Sequence, residues 1–218
     1  MKKLYGIGTG PGDSELLTLK AVRLIREANV IFAPNNKGRN MALDTAKEFI
    51  GNTKVVLIDF AMGRVSKEDY VKAAEIIIKE IPEGGCGAFL TIGDPLIYST
   101  FIYVMEELEK KSIEVEIVPG IPSFVAAASI SKTPLTVKGD NFLLCDEFNE
   151  ELLDKANSIA ILKTFKEKEH ILDTLEGNDF TYKYIKKATL CDQEILIDKE
   201  EILKDKTYIS LIIARKDN

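Results

Sequence analysis

Gly6-Ile-Gly-Thr-Gly-Pro-Gly-Asp13 stands where an apolar run that begins at Leu4 gives way to a helical pattern. Four glycines between residues 6 and 12 indicate a tight turn or a close approach of the backbone to another group. A strand, a glycine-rich turn and a helix in this order are typical of an α/β unit. The spacing does not fit a dinucleotide loop or a P-loop, because Pro11 or Asp13 replaces the third glycine of Gly-x-Gly-x-x-Gly and no Gly-Lys-Ser/Thr follows. A simple tight turn remains the alternative.

The first half of the chain alternates short β-rich runs with longer helical patterns, which predicts a mainly parallel sheet covered by helices. The predicted strands are Leu4–Ile7, Val30–Ala33, Val55–Ile58, Ala88–Ile92 and Val115–Val118. After the first strand, apolar residues recur at helical spacing, and Asp13 or Ser14 is placed to cap that helix. The face comprises Leu17, Ala21, Leu24, Ile25 and Ala28. Ser66 and Asp69 predict a capping box at the start of a later helix.

The second half of the chain has a different pattern. Its last predicted strands follow one another too closely to leave room for helices of ordinary length between them. These strands are Phe142–Cys145, Ile159–Thr164, Tyr182–Thr189, Glu194–Ile197 and Tyr208–Ala214. We therefore predict two α/β domains: residues 1–135 with a mainly parallel sheet, and residues 136–218 with a mixed sheet.

Composition excludes several classes of function. The 218 residues carry a formal charge of −6 without a basic block, so nucleic acid is not an expected partner. His170 is the only histidine, which argues against zinc chemistry and histidine-based nucleophiles, and no protein metal site is predicted. Three scattered cysteines predict reduced, mostly buried thiols. Without a membrane-length apolar segment or a secretory signal pattern, we expect a cytoplasmic protein.

Two further loops follow predicted strands. Thr91-Ile-Gly-Asp-Pro-Leu-Ile-Tyr-Ser-Thr100 lies between an apolar strand and a helix, and Val118-Pro-Gly-Ile-Pro-Ser-Phe-Val-Ala-Ala-Ala-Ser129 combines a strand end with small residues. Ligands of open α/β sheets bind at the carboxyl ends of strands, so these loops and the first one are candidates for one pocket. Taken alone, Gly93-Asp94-Pro95 could be only a turn, and the alanines could serve only close packing.

The three loops together, in this order and spacing, resemble the tetrapyrrole (corrin/porphyrin) methylase family. The resemblance rests on Gly8-Thr-Gly-Pro-Gly-Asp-x-Glu-Leu-Leu-Thr-Leu-Lys20, Gly93-Asp-Pro and Pro119-Gly-Ile, and it is weaker over the second domain. Residues 93–103 and 118–128 are most similar to those of family members that methylate carbon 20 of precorrin-2 or its cobalt complex.

The resemblance implies S-adenosylmethionine (SAM) as methyl donor, bound in a cleft between two α/β domains that differ from a Rossmann methyltransferase, and a homodimer. Residues at the family's cofactor positions are Pro11, Gly93, Asp94, Ile97, Pro122, Ser123, Leu162, Lys163, Ala188 and Thr189. It also implies a tetrapyrrole substrate, direct methyl transfer in cobalamin biosynthesis, and a carboxylate or water that takes the proton lost from carbon 20. Asp94 is our candidate for that carboxylate, and a purely structural role for it remains open.

The substrate's many carboxylates predict basic residues in its pocket despite the acidic chain. The candidates are Lys37, Arg39, Arg64 and Lys132, any of which could instead be a solvated surface charge. The alternatives for function are methylation of another macrocycle carbon, of diphthamide or of ribosomal RNA, and a non-catalytic SAM-binding module.

Overall fold

The computed structural model describes residues 1–35, 40–60, 65–164 and 167–216. The chain forms two compact units, Met1–Pro122 and Ser123–Asn218, and each has its own five-stranded sheet and core. Among the described residues, no helix combines the length and the apolar character needed to cross a bilayer.

The first unit contains a fully parallel sheet with strand order β3-β2-β4-β1-β5. Its elements are β1 (Lys2–Gly8), α1 (Leu19–Glu27), β2 (Val30–Pro34), α2 (Met41–Ile50), β3 (Lys54–Ile58), α3 (Lys67–Glu80), β4 (Cys86–Thr91), α4 (Phe101–Glu109) and β5 (Ile113–Val118). The five predicted strands are all confirmed, with ends that differ by one or two residues. The parallel sheet predicted from their alternation with helices is also confirmed.

Both faces of this sheet are covered. Phe32 and Phe89 pack with α3 and α4 on one face, and Ile31 and Leu90 pack with α1 and α2 on the other. Strands that are buried on both faces of a parallel sheet are mainly apolar, which explains the apolar runs Val30–Ala33 of β2 and Ala88–Leu90 of β4. The helices on both faces thus hold the central strands in place, and the loops extend from the ends of these strands.

The start of α1 differs from the sequence-based prediction. The predicted apolar face is buried, but Thr18 caps α1 by accepting a hydrogen bond from the Ala21 N–H at 3.1 Å. Asp13 instead accepts a hydrogen bond from the Glu15 N–H at 2.9 Å and begins a separate 3₁₀ turn, Ser14–Leu16. Neither Asp13 nor Ser14 caps α1, because this extra turn takes up the chain between the glycine-rich loop and the helix.

The predicted cap of α3 is confirmed. The backbone N–H of Ser66 donates to the Asp69 carboxylate at 2.9 Å, and the Ser66 hydroxyl donates to the same oxygen at 3.1 Å. These hydrogen bonds with the backbone and the hydroxyl lower the pKa of Asp69. The buried stripe of α3 contains Ala73, Ala74 and Ile77, as the periodicity predicts.

The second unit contains the predicted mixed sheet, with strand order β6-β7-β10-β8-β9. Only β6 and β7 pair in parallel, and the other pairs are antiparallel. Its elements are α5 (Ser123–Ser131), β6 (Phe142–Cys145), β7 (Ser158–Leu162), α6 (Lys168–Gly177), β8 (Phe180–Lys186), β9 (Glu194–Leu196), α7 (Lys199–Lys204) and β10 (Ser210–Lys216). The six-residue α7 is the only helix between the last described strands, as the short spacing predicts.

The second unit begins at Ser123, earlier than the domain boundary placed after residue 135 from the sequence. Helix α5 belongs to it because Ala127 packs against Ile185 and Ile213 of the second sheet. The segment after α5 is also tied to this sheet, since Arg215 on β10 donates to Asp140 at 2.5 Å. The predicted boundary after residue 135 therefore falls in a loop inside the second unit.

Candidate functional site

The three loops singled out in the sequence follow β1, β4 and β5, which are neighbours in the first sheet. Because these strands are parallel, their carboxyl ends meet at the same sheet edge. Strand β1 lies between the other two, so its glycine-rich loop is flanked by the Gly-Asp-Pro loop and the Pro-Gly-Ile loop. We call the contact of these loops the loop junction, defined by Gly8–Gly10, Thr91–Asp94 and Gly120.

The first and second loops pair through their backbones. Gly10 and Gly93 exchange two hydrogen bonds, of 3.2 Å from the Gly10 N–H and 2.8 Å from the Gly93 N–H. The Thr9 N–H donates to the Thr91 carbonyl at 2.8 Å. The chains that leave β1 and β4 thus stay hydrogen-bonded beyond the regular strands, through an antiparallel bridge in place of the parallel pairing.

Glycine is required where the loops meet most closely. A Cβ at Gly120 would lie 2.1 Å from the carbonyl oxygen of Gly93 and 2.8 Å from the Cα of Gly8. A Cβ at Gly8 would lie 2.5 Å from that same oxygen. Real Cβ atoms do not approach a backbone so closely, so any side chain at either position would push the loops apart. Gly8 and Gly120 therefore allow the backbones of the loops to touch. The sequence left open whether the glycines form only a tight turn or a close backbone contact, and here they form a close contact.

Asp94 joins the second loop to the third. Its Oδ2 accepts a hydrogen bond from the Gly120 N–H at 3.0 Å, and its Oδ1 accepts one from the Leu96 N–H at 2.9 Å. One carboxylate thus holds its own loop in shape and bridges to the loop after β5. This geometry supplies the structural role that the sequence left open for Asp94, and it does not test a role as proton acceptor.

Three hydroxyl groups lie beneath the junction, and sequence reasoning missed them. The Thr9 hydroxyl donates to the Thr91 carbonyl at 3.1 Å, and the hydroxyls of Thr91 and Ser99 share a hydrogen bond of 3.0 Å. The Ser99 oxygen also accepts a hydrogen bond from the Phe101 N–H at 3.2 Å, at the start of α4. All three hydroxyl residues are buried, so these bonds are shielded from water. They close the base of the loop between β4 and α4, and no local sequence pattern indicates this pairing.

The remaining cofactor candidates of the first unit lie around the junction. Pro11 is buried, and Ile97 is half-buried. Pro122 is half-buried, with its Cα 3.8 Å from the position that a Cβ of Gly93 would occupy. Ser123, the next candidate along the chain, is the first residue of the second unit and of α5, and it is half-buried. The structure thus brings Pro122 next to Gly93, and the binding of a common ligand by these residues stays a prediction.

The candidates of the second unit share one edge of the second sheet. Leu162 and Lys163 lie at the end of β7, and Ala188 and Thr189 follow β8. Strand β10 separates β7 from β8, and the Lys163 N–H donates to the carbonyl of Ser210 on β10 at 3.1 Å. Lys163 and Thr189 both have positive φ angles, of 57° and 70°. Such conformations are costly for these residue types and are found at binding sites more often than elsewhere.

The substrate-binding candidates are placed only in part. Lys37, Arg39 and Arg64 lie outside the described residues. Lys132 is exposed directly after α5, with a φ of 53°. Their assignment to a substrate pocket stays a prediction.

The possible metal ligands and the cysteine thiols are the candidates for a second reactive site among the described residues. Within residues 1–35, 40–60, 65–164 and 167–216, no group of three or more His, Cys, Asp or Glu side chains is placed to hold a metal ion. Burial raises the pKa of the Cys145 thiol to about 11, which keeps it protonated near neutral pH. Cys86 is half-buried and Cys191 is exposed, so the expectation of mostly buried thiols was wrong. Cys86 is the first residue of β4 and Cys191 lies in a turn, and neighbouring residues do not cover either thiol completely.

Comparisons with known proteins agree with this geometry. Residues 3–203 match the model of the family described as Tetrapyrrole (Corrin/Porphyrin) Methylases. The chain is 35% identical to a probable cobalt-precorrin-2 C(20)-methyltransferase of Methanocaldococcus jannaschii, over 99% of this chain and 97% of that protein. It is 28% identical to the cobalt-precorrin-2 C(20)-methyltransferase of Salmonella typhimurium, over 75% of this chain and 73% of the relative.

A solved structure shows the same fold. The uroporphyrin-III C-methyltransferase of Thermus thermophilus, complexed with S-adenosylhomocysteine, superposes with a TM-score of 0.72 and 21% identity, covering 98% of this chain and 97% of that one. The parallel first sheet, the mixed second sheet and the loop junction thus occur in a chain that matches the family model over most of its length. This chain belongs to the tetrapyrrole (corrin/porphyrin) methylases.

Proposed function

We propose that the protein transfers a methyl group from SAM to carbon 20 of cobalt-precorrin-2, or of precorrin-2, in cobalamin biosynthesis. The observation that carries this proposal is the similarity to the Methanocaldococcus jannaschii protein, at 35% identity over 99% of the chain. The loop junction supports it, because the residues that resemble the family's cofactor positions in the first unit surround one backbone contact.

The composition of the junction fits SAM. This cofactor carries an amino acid, a ribose and a purine, all of which are recognised by hydrogen bonds. The junction consists mainly of peptide groups, and the absence of side chains at Gly8 and Gly120 lets the three loops that carry the candidate residues lie against one another. The candidate set is Pro11, Gly93, Asp94, Ile97 and Pro122 from the first unit, with Ser123, Leu162, Lys163, Ala188 and Thr189 from the second.

When bound, SAM supplies an electrophilic methyl group on a sulfonium. The protein has no need of a covalent intermediate for such a transfer, so the chain's own task is alignment of the two reactants. Asp94 and the buried hydroxyls of Thr9, Thr91 and Ser99 fix the loops on which donor and acceptor would rest. We assign Asp94 a positioning role first, and its role as acceptor of the proton from carbon 20 is a second proposal.

The substrate is recognised in part through its carboxylates. Lys37, Arg39, Arg64 and Lys132 are the proposed partners, because an ammonium or guanidinium pairs well with a carboxylate. A homodimer and a cytoplasmic location, both expected from the resemblance and the composition, also stay predictions.

The decisive experiment is an anaerobic assay of the purified protein with SAM and either precorrin-2 or cobalt-precorrin-2. Mass spectrometry counts the added methyl groups and NMR locates them. A methyl at carbon 20 supports the proposal, and the faster substrate shows whether cobalt is inserted first. A methyl at another carbon, or binding of S-adenosylhomocysteine without any transfer, would reject it.

A Gly120→Ala variant serves as the matched negative control for this assay. Its added Cβ would collide with the Gly93 carbonyl and separate the second and third loops. Transfer that persists in this variant at the wild-type rate would show that the junction is not part of the active site.

A further inference from the structure

The loop between β4 and α4 exposes apolar side chains on the edge of the sheet that carries the loop junction. In this loop, residues 92–98, the side chains of Ile92, Leu96 and Tyr98 are 42%, 49% and 47% exposed. Pro95, between them, is buried. Exposed single apolar residues are common on proteins, but three within one short loop at a ligand-binding edge indicate a contact surface.

The loop that carries these side chains is held at several points. The hydroxyl bond between Thr91 and Ser99 closes its base, and the Gly93 backbone pairs with Gly10. The Asp94 carboxylate accepts hydrogen bonds from the Leu96 N–H of the same loop and from the Gly120 N–H of the loop after β5. A surface fixed in this way loses little conformational entropy when it binds a ligand.

The backbone at Tyr98 is held in an unfavourable conformation. Its φ of 46° lies in the left-handed region, which is unfavourable for a residue with a large side chain. The next residue, Ser99, is buried in the hydroxyl cluster, whereas the Tyr98 ring is half exposed. The loop thus turns at Tyr98 through an unfavourable backbone conformation and leaves the aromatic ring half exposed.

Methyl transfer restricts what can contact this loop. The accepting carbon must come within about 3–3.5 Å of the methyl group, so the substrate has to touch the surroundings of the donor. Gly93 and Asp94, which we propose for the donor site, lie within the same seven residues as the three exposed side chains. A reduced tetrapyrrole has an apolar ring face and a charged rim, and apolar side chains match the face.

We infer that Ile92, Leu96 and Tyr98 form a platform that contacts the apolar face of the tetrapyrrole macrocycle and sets its position relative to SAM. This inference rests on the proposed function. It assigns the basic residues to the rim of the substrate and this loop to its ring face, so that two kinds of contact orient the same molecule.

The test uses Leu96→Ala and Tyr98→Ala, with Leu57→Ala as the matched control. Leu57 lies on β3 and is 47% exposed, so the same truncation is made at a similarly exposed site away from the loop. Removing one apolar contact of this size should raise the KM for the tetrapyrrole about tenfold in each loop variant. The affinity for S-adenosylhomocysteine, measured by calorimetry, should stay within about twofold of wild type, and Leu57→Ala should change neither quantity.

A Tyr98→Phe variant separates the ring from its hydroxyl and should retain the wild-type KM. An unchanged KM in both alanine variants would overturn the platform, and so would a loss of S-adenosylhomocysteine affinity equal to the rise in KM. If the wild-type protein methylates no tetrapyrrole at all, the proposed function fails and the platform fails with it. An active wild type with unaffected variants would overturn the platform alone.

Discussion

Replacing Asp94 with asparagine tests the loop junction most directly. The carboxylate accepts hydrogen bonds from the Leu96 N–H at 2.9 Å and from the Gly120 N–H at 3.0 Å, one on each oxygen. Asparagine has one acceptor oxygen and one NH₂ group. In the Asp94→Asn variant, one of the two backbone donors therefore faces another donor, and the remaining bond loses its charged acceptor.

The size of the effect follows from these two changes. A hydrogen bond to a charged acceptor contributes about 1.5–3 kcal/mol, and the partial exposure of Asp94 favours the lower end. A loss of about 1.5 kcal/mol corresponds to roughly tenfold weaker binding of S-adenosylhomocysteine, if binding needs the junction closed. For a chain of this length it corresponds to a Tm lower by about 3–6 °C.

Calorimetric titration with S-adenosylhomocysteine and thermal unfolding measure the two effects. Asp198→Asn is the matched control, since Asp198 also accepts a backbone hydrogen bond, from Glu201 at 3.0 Å at the start of α7. Asparagine caps helices as well as aspartate does, so this variant removes the same charge and should keep both the Tm and the affinity.

Two results would refute this reasoning. A Tm and an affinity that both equal the wild-type values would show that Asp94 does not brace the loops. If both values are preserved while kcat falls more than about a hundredfold, Asp94 acts on the reaction itself. The second result would replace the positioning role with the role of proton acceptor.

Two further predictions concern close packing and pH. Gly120→Ala should abolish S-adenosylhomocysteine binding in calorimetric titration, because its Cβ would lie 2.1 Å from a backbone oxygen; the control Gly177→Ala, with open space around the new methyl group, should bind normally. Hydrogen bonds from Lys20 and Lys3 lower the pKa of Glu116 from 4.5 to about 2, so its contribution to stability is present above pH 4.5 and is lost as the pH falls towards 2. Urea unfolding at pH 6 and pH 3 should therefore show a smaller acid-induced loss of stability for Glu116→Gln than for wild type, and equal losses would contradict the assignment.

The strands and the buried helix faces could be predicted from the sequence because their signals are local. Ile31 and Phe32 are apolar neighbours that face opposite sides of a sheet, and such runs indicate a strand buried on both faces. The cap of α1 shows the limit of local signals. The sequence predicts the cap at Asp13 or Ser14, but Asp13 begins a separate 3₁₀ turn and Thr18, which follows Leu17 of the apolar face, caps the helix.

The boundary between the two units could not be located from composition. The sequence places the boundary after residue 135, but Asp140 pairs with Arg215, which is distant in sequence, and α5 packs on the second sheet. Contacts between residues so far apart leave no mark in a local window. For the same reason, the pairing of Thr91 with Ser99 beneath the Gly-Asp-Pro loop could not be foreseen.

The sequence by itself determined the class of both sheets, the positions of the three loops and, through resemblance, the family, because each depends on residues that are neighbours along the chain. The tertiary structure alone decided which loops touch, since this depends on β1 lying between β4 and β5. That strand order brings the Gly120 N–H to Asp94 and the Gly93 carbonyl to Gly8. Strand order results from packing over the whole unit, so the roles of Asp94 and of the glycines became visible only once the sheet was assembled.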